Sequence, residues 1–372
     1  GLLQVAGGTV LGTAITAVAG GVGKLASSGL NFEQQMANVN SVLQDDAATQ
    51  QYADALIALS QDSRILAGPT ELAAGFYNVA SAGFTGAGAL DVMTQAGYAA
   101  TAGMTTADVA ASAIAGTMNA YGQETYSAQQ VSDALFGAVA AGSLTFEQLA
   151  NNLGNTTALA SQMGVGVNEL ASAYAVMSNN NISAAQAETQ IAAIMRSAAN
   201  PTQALTDAVT AHGYANAEAA IKAEGFGGFL DMVTEAAGGN KEALYDMLGT
   251  QEAVNAALIL GAEGGSEYEK VLAQIDAGME GVGSTQLALA KQMDSANFKW
   301  AEAKKQMEIA ATLASGALAP ALGAVASGLS KGILGVTKFG QKLMEMHRGP
   351  GYMFSAWTRT LPGFLTPIAQ LL

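Results

Sequence analysis

Residues 127–150 read SAQQVSDALFGAVAAGSLTFEQLA, and this stretch decides the fold. Ser127 stands three residues before Gln130, and Thr145 three before Gln148. In such a capping box the hydroxyl accepts from the N–H three residues on, while the amide side chain returns to the cap N–H. Each pair therefore marks a helix start. Between the two starts, Val131, Leu135, Ala138 and Val139 recur at the spacing of one helix face. After the second, Phe146, Leu149, Leu153, Ala160 and Met163 do the same.

The same grammar extends outward from about residue 31 to 265. Further start signals stand at Thr85, Thr105, Ser183 (with Gln186) and Thr202, at intervals of about 20 residues or twice that. Gly68-Pro69 and Asn200-Pro201 stop one helix and open the next. Met93, Met104, Met118, Met163 and Met177 fall at helical core spacings and read as flexible core filler. Alternating β-branched runs are absent. The fold class is all-α. Residues 225–265 are looser, with Gly227-Gly228, Gly238-Gly239 and Gly264-Gly265 separating three short pieces.

Beyond the core the period changes. Leu289, Met293, Ala296, Trp300, Ala303, Met307 and Ala310 step by four and three without a break, a heptad seam of alternating large and small side chains. A long helix is expected over 266–316. The seam fits self-association of like helices and fits equally one amphipathic helix docked on the core. Two uncharged runs flank the whole. Residues 1–23 contain seven glycines and three threonines, with Gly8 and Gly12 in a G-x-x-x-G pair. Residues 309–330 contain Pro320, expected to kink or restart the helix. Ala324, Gly328 and Gly332 continue a small-x-x-x-small spacing suited to membrane helix packing. The expected divisions are an apolar Ala/Gly-rich helix over 1–30, the core over 31–265, the long helix over 266–316, and an apolar, then basic segment over 317–372.

Composition narrows the function. The 372 residues carry 15 Lys+Arg against 30 Asp+Glu, with no cysteine and two histidines. That leaves no disulfide framework, thiolate zinc site or cysteine nucleophile, and little for an imidazole metal cluster. An acidic balance argues against general nucleic-acid binding. The charge is divided: residues 1–330 hold 10 basic and 29 acidic groups, while 331–372 hold five basic groups and Glu345. The basic, aromatic tail fits an interfacial membrane segment or a segment docking on an acidic partner. Gly21-Val22-Gly23-Lys24 lacks the first glycine of a P-loop and has Leu25 where Ser or Thr is needed. Gly164-Val165-Gly166 follows no strand. His212 before Gly213 reads as a helix end, and His347 as part of the basic tail. Asp45-Asp46 and Glu267 with Glu269 are neighbours only in sequence. No catalytic, cofactor-binding or metal-ligating residue is assigned.

Several stretches together resemble the core region of phage tail tape measure proteins. They are Phe32 to Val39 (FEQQMANV), Thr70 to Phe84, Gly97 to Gly103 (GYAATAG) and Ala120-Tyr121-Gly122. Thr145 to Leu149 (TFEQL), Ala158 to Val165, Gln190 to Arg196 and Asn200-Pro201 complete the set. The likeness is good over about 30–200 and weaker to about 315. It implies a structural, non-enzymatic role inside the tail tube, setting tail length during assembly. It also implies release at infection to help the genome cross the host envelope. Implied partners are further copies of the chain, expected as a trimer, tail tube and tail tip proteins, tail assembly chaperones and the host membrane after ejection. DNA is met only by adjacency. The implied location is the virion, in the tube lumen or tip, and then the host envelope. A continuous helix of this length would span about 560 Å, but many short helices make a poor ruler, so the piece reads as the globular, membrane-active part of a longer protein. A membrane-perforating protein of holin or pore-forming type is the alternative, and a wall-degrading enzyme the third class.

Overall fold

The computed structural model describes residues 29–281 and 283–329, with side chains through Leu313. Seventeen helices and no strand occur among the described residues. The first part comprises α1 (29–43), α2 (Asp46–Ser60), α3 (Pro69–Ser81), α4 (Gly86–Gly103), α5 (Ala107–Tyr121) and α6 (Ala128–Ala141). Then come α7 (Phe146–Ala150), α8 (Gly154–Met163), α9 (Val167–Asn179), α10 (Ala184–Ala199) and α11 (Gln203–Ala211). The last are α12 (Ala217–Ala236), α13 (Lys241–Leu248), α14 (Gln251–Leu260), α15 (Ser266–Glu280), α16 (Ser284–Met293) and α17 (Ala296–Leu329).

All three capping boxes read from the sequence form. Ser127, Thr145 and Ser183 each accept from the N–H of the glutamine three residues on, and each glutamine closes the box. Asp45, Thr202, Asn216, Asn240 and Thr250 cap further helices with their own side chains. His212 ends α11, its Nδ1 2.9 Å from the Ala208 carbonyl oxygen.

Four helix starts are capped instead from elsewhere in the fold. The Tyr52 hydroxyl accepts from Gly86 N at the start of α4. Glu71 accepts from Ala107 N at the start of α5, at 2.9 Å. Asp133 accepts from Thr285 N in the first turn of α16, also at 2.9 Å. Glu169 serves two starts, Gly166 N before its own helix and Phe226 N beyond the break in α12. A helix start leaves four N–H groups without intrahelical partners, and a carboxylate placed there also faces the positive end of the helix dipole.

The core is knit by close approach. Helix α6 is surrounded by α4, α5, α9, α15 and α16, and its Ser132 and Asp133 are fully buried. Gly137 of α6 faces Ile275 of α15 so closely that a Cβ there would sit 3.0 Å from Ile275 Cγ1. Gly75 of α3 lies against the first turn of α5, where a Cβ would come 2.9 Å from the Ala107 carbonyl oxygen. Small residues set these spacings, as the composition requires.

The structure differs from the sequence reading at several points. The stretch 266–316 holds three helices, not one. Gly283 at φ 92° breaks the first junction. At the second, Ser295 Oγ accepts from Phe298 N at 3.1 Å and starts a new helix in the middle of the heptad register. Helices α15 and α16 lie on the core, and the compact unit runs to Leu313, past the expected boundary at 265. From Ala314 a second unit begins, described only as helical backbone to Leu329. Helix α17 passes Pro320 without restarting. The break in α12 falls at Gly225 (φ 76°, ψ 176°), which only glycine tolerates well, and not at Gly227-Gly228. The cap before α5 is Thr106, one residue after Thr105. Met104 is 86% exposed in a left-handed conformation at the end of α4, because it terminates the helix instead of filling the core. Among the described residues, no helix is long and apolar enough to cross a membrane. Residues 1–28 and 330–372, with Gly8, Gly12 and Gly332, lie outside the described residues.

The packing sorts two glycines that look alike in sequence. Gly75→Ala should lower stability by about 1–3 kcal/mol through overpacking against a backbone carbonyl. Gly116→Ala, in α5 with open space around it, should raise stability by about 0.4–1 kcal/mol. Urea unfolding of both variants measures the contrast.

Candidate functional site

The segment singled out by its heptad pattern is α16 with the first half of α17. Its seating on the core begins at the fully buried Asp133. Oδ1 accepts from Thr285 N, and the Thr285 hydroxyl pairs with Ser132 at 3.1 Å. The backbone at Gly283 runs so close that a Cβ would lie 2.8 Å from Asp133 Oδ2. Burial pushes the Asp133 carboxyl above its usual range, against the hydrogen bonds from Thr285 and Gln129. Leu289 is buried under α16, and Gln292 Nε2 donates to the Ala102 carbonyl at 2.8 Å. These contacts fix where α17 starts.

Helix α17 then docks through Phe298, Lys305 and Ile309. Lys305 is only 2% exposed. Its ammonium donates to the carbonyl oxygens of Asp62 (2.7 Å) and Ile65 (2.6 Å) in the loop after α2. Burial pulls its pKa down, against the pull of Glu302 and Asp62. Glu308 reaches the same loop beside Gly68, where a Cβ would strike its carboxylate.

The loop is held in shape for this contact. Arg64 straddles the Asp62 carboxylate, with Nε 3.0 Å from Oδ1 and Nη2 2.7 Å from Oδ2. The Tyr98 hydroxyl donates to Oδ2 at 2.9 Å, and the guanidinium stacks 4.5 Å from the Tyr98 ring centre. Burial alone would raise the Asp62 pKa. The hydrogen bonds from Arg64 and Tyr98 outweigh it and bring it from 3.8 down to about 2. Burial and the bond to Asp62 lift Tyr98 to about 12.

A cleft of about 570 Å³ opens beside this seat, lined by Leu66, Glu71, Thr101, Met104, Lys291 and Phe298, among others. Burial raises the Glu71 pKa, and its bond to Ala107 N opposes the rise. That carboxylate is occupied in capping α5. Among the described residues no group of three or more His, Asp or Glu could hold a metal ion.

The expected seam separates into two parts. Leu289 is buried and Met293 half-buried under α16 and its end. Past the break, Ala296, Trp300 and Met307 are exposed, and Ala303 and Ala310 half-buried. At about 100° per residue, Trp300 and Met307 lie roughly 140–160° around the helix from Lys305. The seam residues of α17 therefore face away from the core, and a different stripe makes the docking contact. Ala324 and Gly328 lie farther along α17, in the second unit. Lys305 was not legible in sequence. Lys304-Lys305 reads as a solvated pair, and only the tertiary fold turns one of them inward. Asp62-x-Arg64 just after a helix offered a weak signal for the carboxylate pair.

A family model described as phage-related minor tail protein matches residues 53–261, from α2 through the end of α14. No curated protein and no solved structure matches the chain. The matched region carries the loop that receives Lys305, while α16 and α17 lie beyond it.

Two outcomes follow from the seat. Lys305→Ala would leave the Ile65 carbonyl without its donor and the Asp62 carbonyl with the Ile65 N–H alone, at a cost of about 1–3 kcal/mol. Hydrogen exchange should speed up over 296–309 while α4 to α6 keep their protection. The Asp62 pKa is lower in the folded chain, so its stabilisation is present above about 3.8 and is lost as pH falls toward about 2. The urea midpoint of Asp62→Asn should therefore change less between those two pH values than that of the parent chain.

Proposed function

This chain belongs to the phage-related minor tail protein family, and from that premise we propose that it is a tape measure protein. Membership makes it a structural component of the phage tail. In the proposed role it occupies the tail tube during assembly, takes part in setting tail length, and leaves at infection to help the genome across the host envelope. The family match over 53–261 carries the tail role, and the tape-measure assignment is a further step. The order of the motifs from Phe32 to Pro201 supports it, since those stretches resemble the tape measure core in particular.

The fold is compatible with a division of labour within that role. A helix measures length only while it stays extended, at about 1.5 Å per residue. Residues 29–313 are folded back into short helices packed on one another. This part acts as a folded body. The ruler of the proposal is extended helix outside it.

Cryo-electron microscopy of tails, before and after DNA ejection, tests the reading with an antibody or a fused tag marking the chain. Density is expected within the tube or at its tip before ejection and is expected to be gone afterwards. Virions lacking the protein should have no tails or tails of uncontrolled length. A marker that stays on the outer tail surface in both states, with tail length unchanged in the deletion, would sink the tape-measure role.

A further inference from the structure

The outward face of α17 combines three observations. It is apolar and largely open: Trp300 is 66% exposed and Met307 62%, alternating along the face with the exposed Ala296 and the half-buried Ala303 and Ala310. It is flanked by cations. Lys299 stands immediately before Trp300, and Lys304, after Ala303, lies with its ammonium 6.0 Å from the centre of the Trp300 ring. Both lysines are exposed. The rest of the body has the opposite charge. Residues 29–290 contain 5 basic and 26 acidic groups, a net −21, whereas 291–313 contain four lysines and three acids, a net +1.

In heptad terms Trp300 and Met307 occupy one core position, and Ala296, Ala303 and Ala310 the other. The flanking positions are then Asn297, Lys299, Lys304 and Gln306. None is acidic. If two copies of this helix paired in parallel, Lys299 of one would face Lys304 of the other across the flank, since that pair is five residues apart. Like charges at those positions disfavour pairing. The C-terminal segment is also an unsuitable occupant, because residues 331–372 carry five basic groups and one acid.

We infer that the open face of α17 is a docking site for an amphipathic helix of another protein, one with an apolar stripe flanked by Glu or Asp. The large–small alternation provides holes at Ala303 and Ala310 for partner side chains and knobs at Trp300 and Met307. Lys299 and Lys304 choose the partner by charge and raise its capture rate. The Lys305 seat on the opposite side keeps the stripe presented.

Two synthetic three-heptad peptides test this against the full chain, both with Leu at the core positions. One carries Glu at the flanking positions and the other Lys. In the Trp357→Phe chain the only remaining tryptophan is Trp300, so its emission reports the docking. The Glu-flanked peptide is expected to bind roughly five- to tenfold more tightly than the Lys-flanked one, with the preference shrinking as salt rises. The double variant Lys299→Glu, Lys304→Glu should reverse the preference without altering the helical circular dichroism. Equal binding of the two peptides, or binding of neither, would overturn the inference. So would light scattering showing that the chain alone forms oligomers that Trp300→Glu dissolves, since a second copy would then be the occupant.

Discussion

Every helix start leaves N–H groups that the helix itself cannot satisfy, and a core made of many short helices multiplies that demand. At helices such as α2, α6, α7 and α10 the residue before the first turn meets it with its own side chain. At α4 and α5 the Thr85 and Thr106 hydroxyls make no such bond, and a side chain from another part of the fold serves instead: Tyr52 for α4, Glu71 for α5, and likewise Glu169 for the second half of α12 and Asp133 for α16. Each such bond fixes one helix relative to another, so meeting a local backbone need also sets tertiary geometry. Burial of Glu71, Asp133 and Glu169 raises their pKa values, and the N–H groups they accept from oppose the rise. The cost of burying a carboxylate is offset by donors that would otherwise be unpaired.

Asp133 links this constraint to the outward segment. It lies at the centre of α6, which is covered on several sides, and it holds the start of α16. From there Leu289 and Gln292 carry α16 across α4, and Ser295 opens α17 toward the loop that takes Lys305. One charged side chain enters the core, and the apolar stripe stays outside. Phe298 and Ile309 dock beside Lys305, so the helix is apolar on its inward face as well as its outward one. The inward lysine is tolerated because two carbonyl oxygens of a constrained loop accept hydrogen bonds from it.

The family match and the structure divide the chain in a consistent way. The region matched by the family model contains most of the buried core, including the loop that receives Lys305. The segment that rests on it lies outside the match and gathers four of the nine basic residues between 29 and 329. A family-wide scaffold thus carries a surface element with its own charge character.

The sequence by itself determined the all-α class, the helix starts at Ser127, Thr145 and Ser183, and the special character of the stretch from Leu289 to Ala310. These are local properties: a hydroxyl reaching three residues along, and a period of three and four, depend only on nearby chain. The sequence misread the breaks at Gly225 and Ser295 and the exposure of Met104, because neighbouring glycines, a continuous heptad register and a core-like spacing gave competing local signals. The tertiary structure alone decided the caps supplied by Tyr52, Glu71, Asp133 and Glu169, the inward turn of Lys305, and the outward direction of the seam. Each depends on partners 34 or more residues away, from Tyr52 with Gly86 to Lys305 with Asp62, 243 residues apart. A periodic stripe reveals that a helix has two faces, but only the packed neighbours determine which of them meets the core.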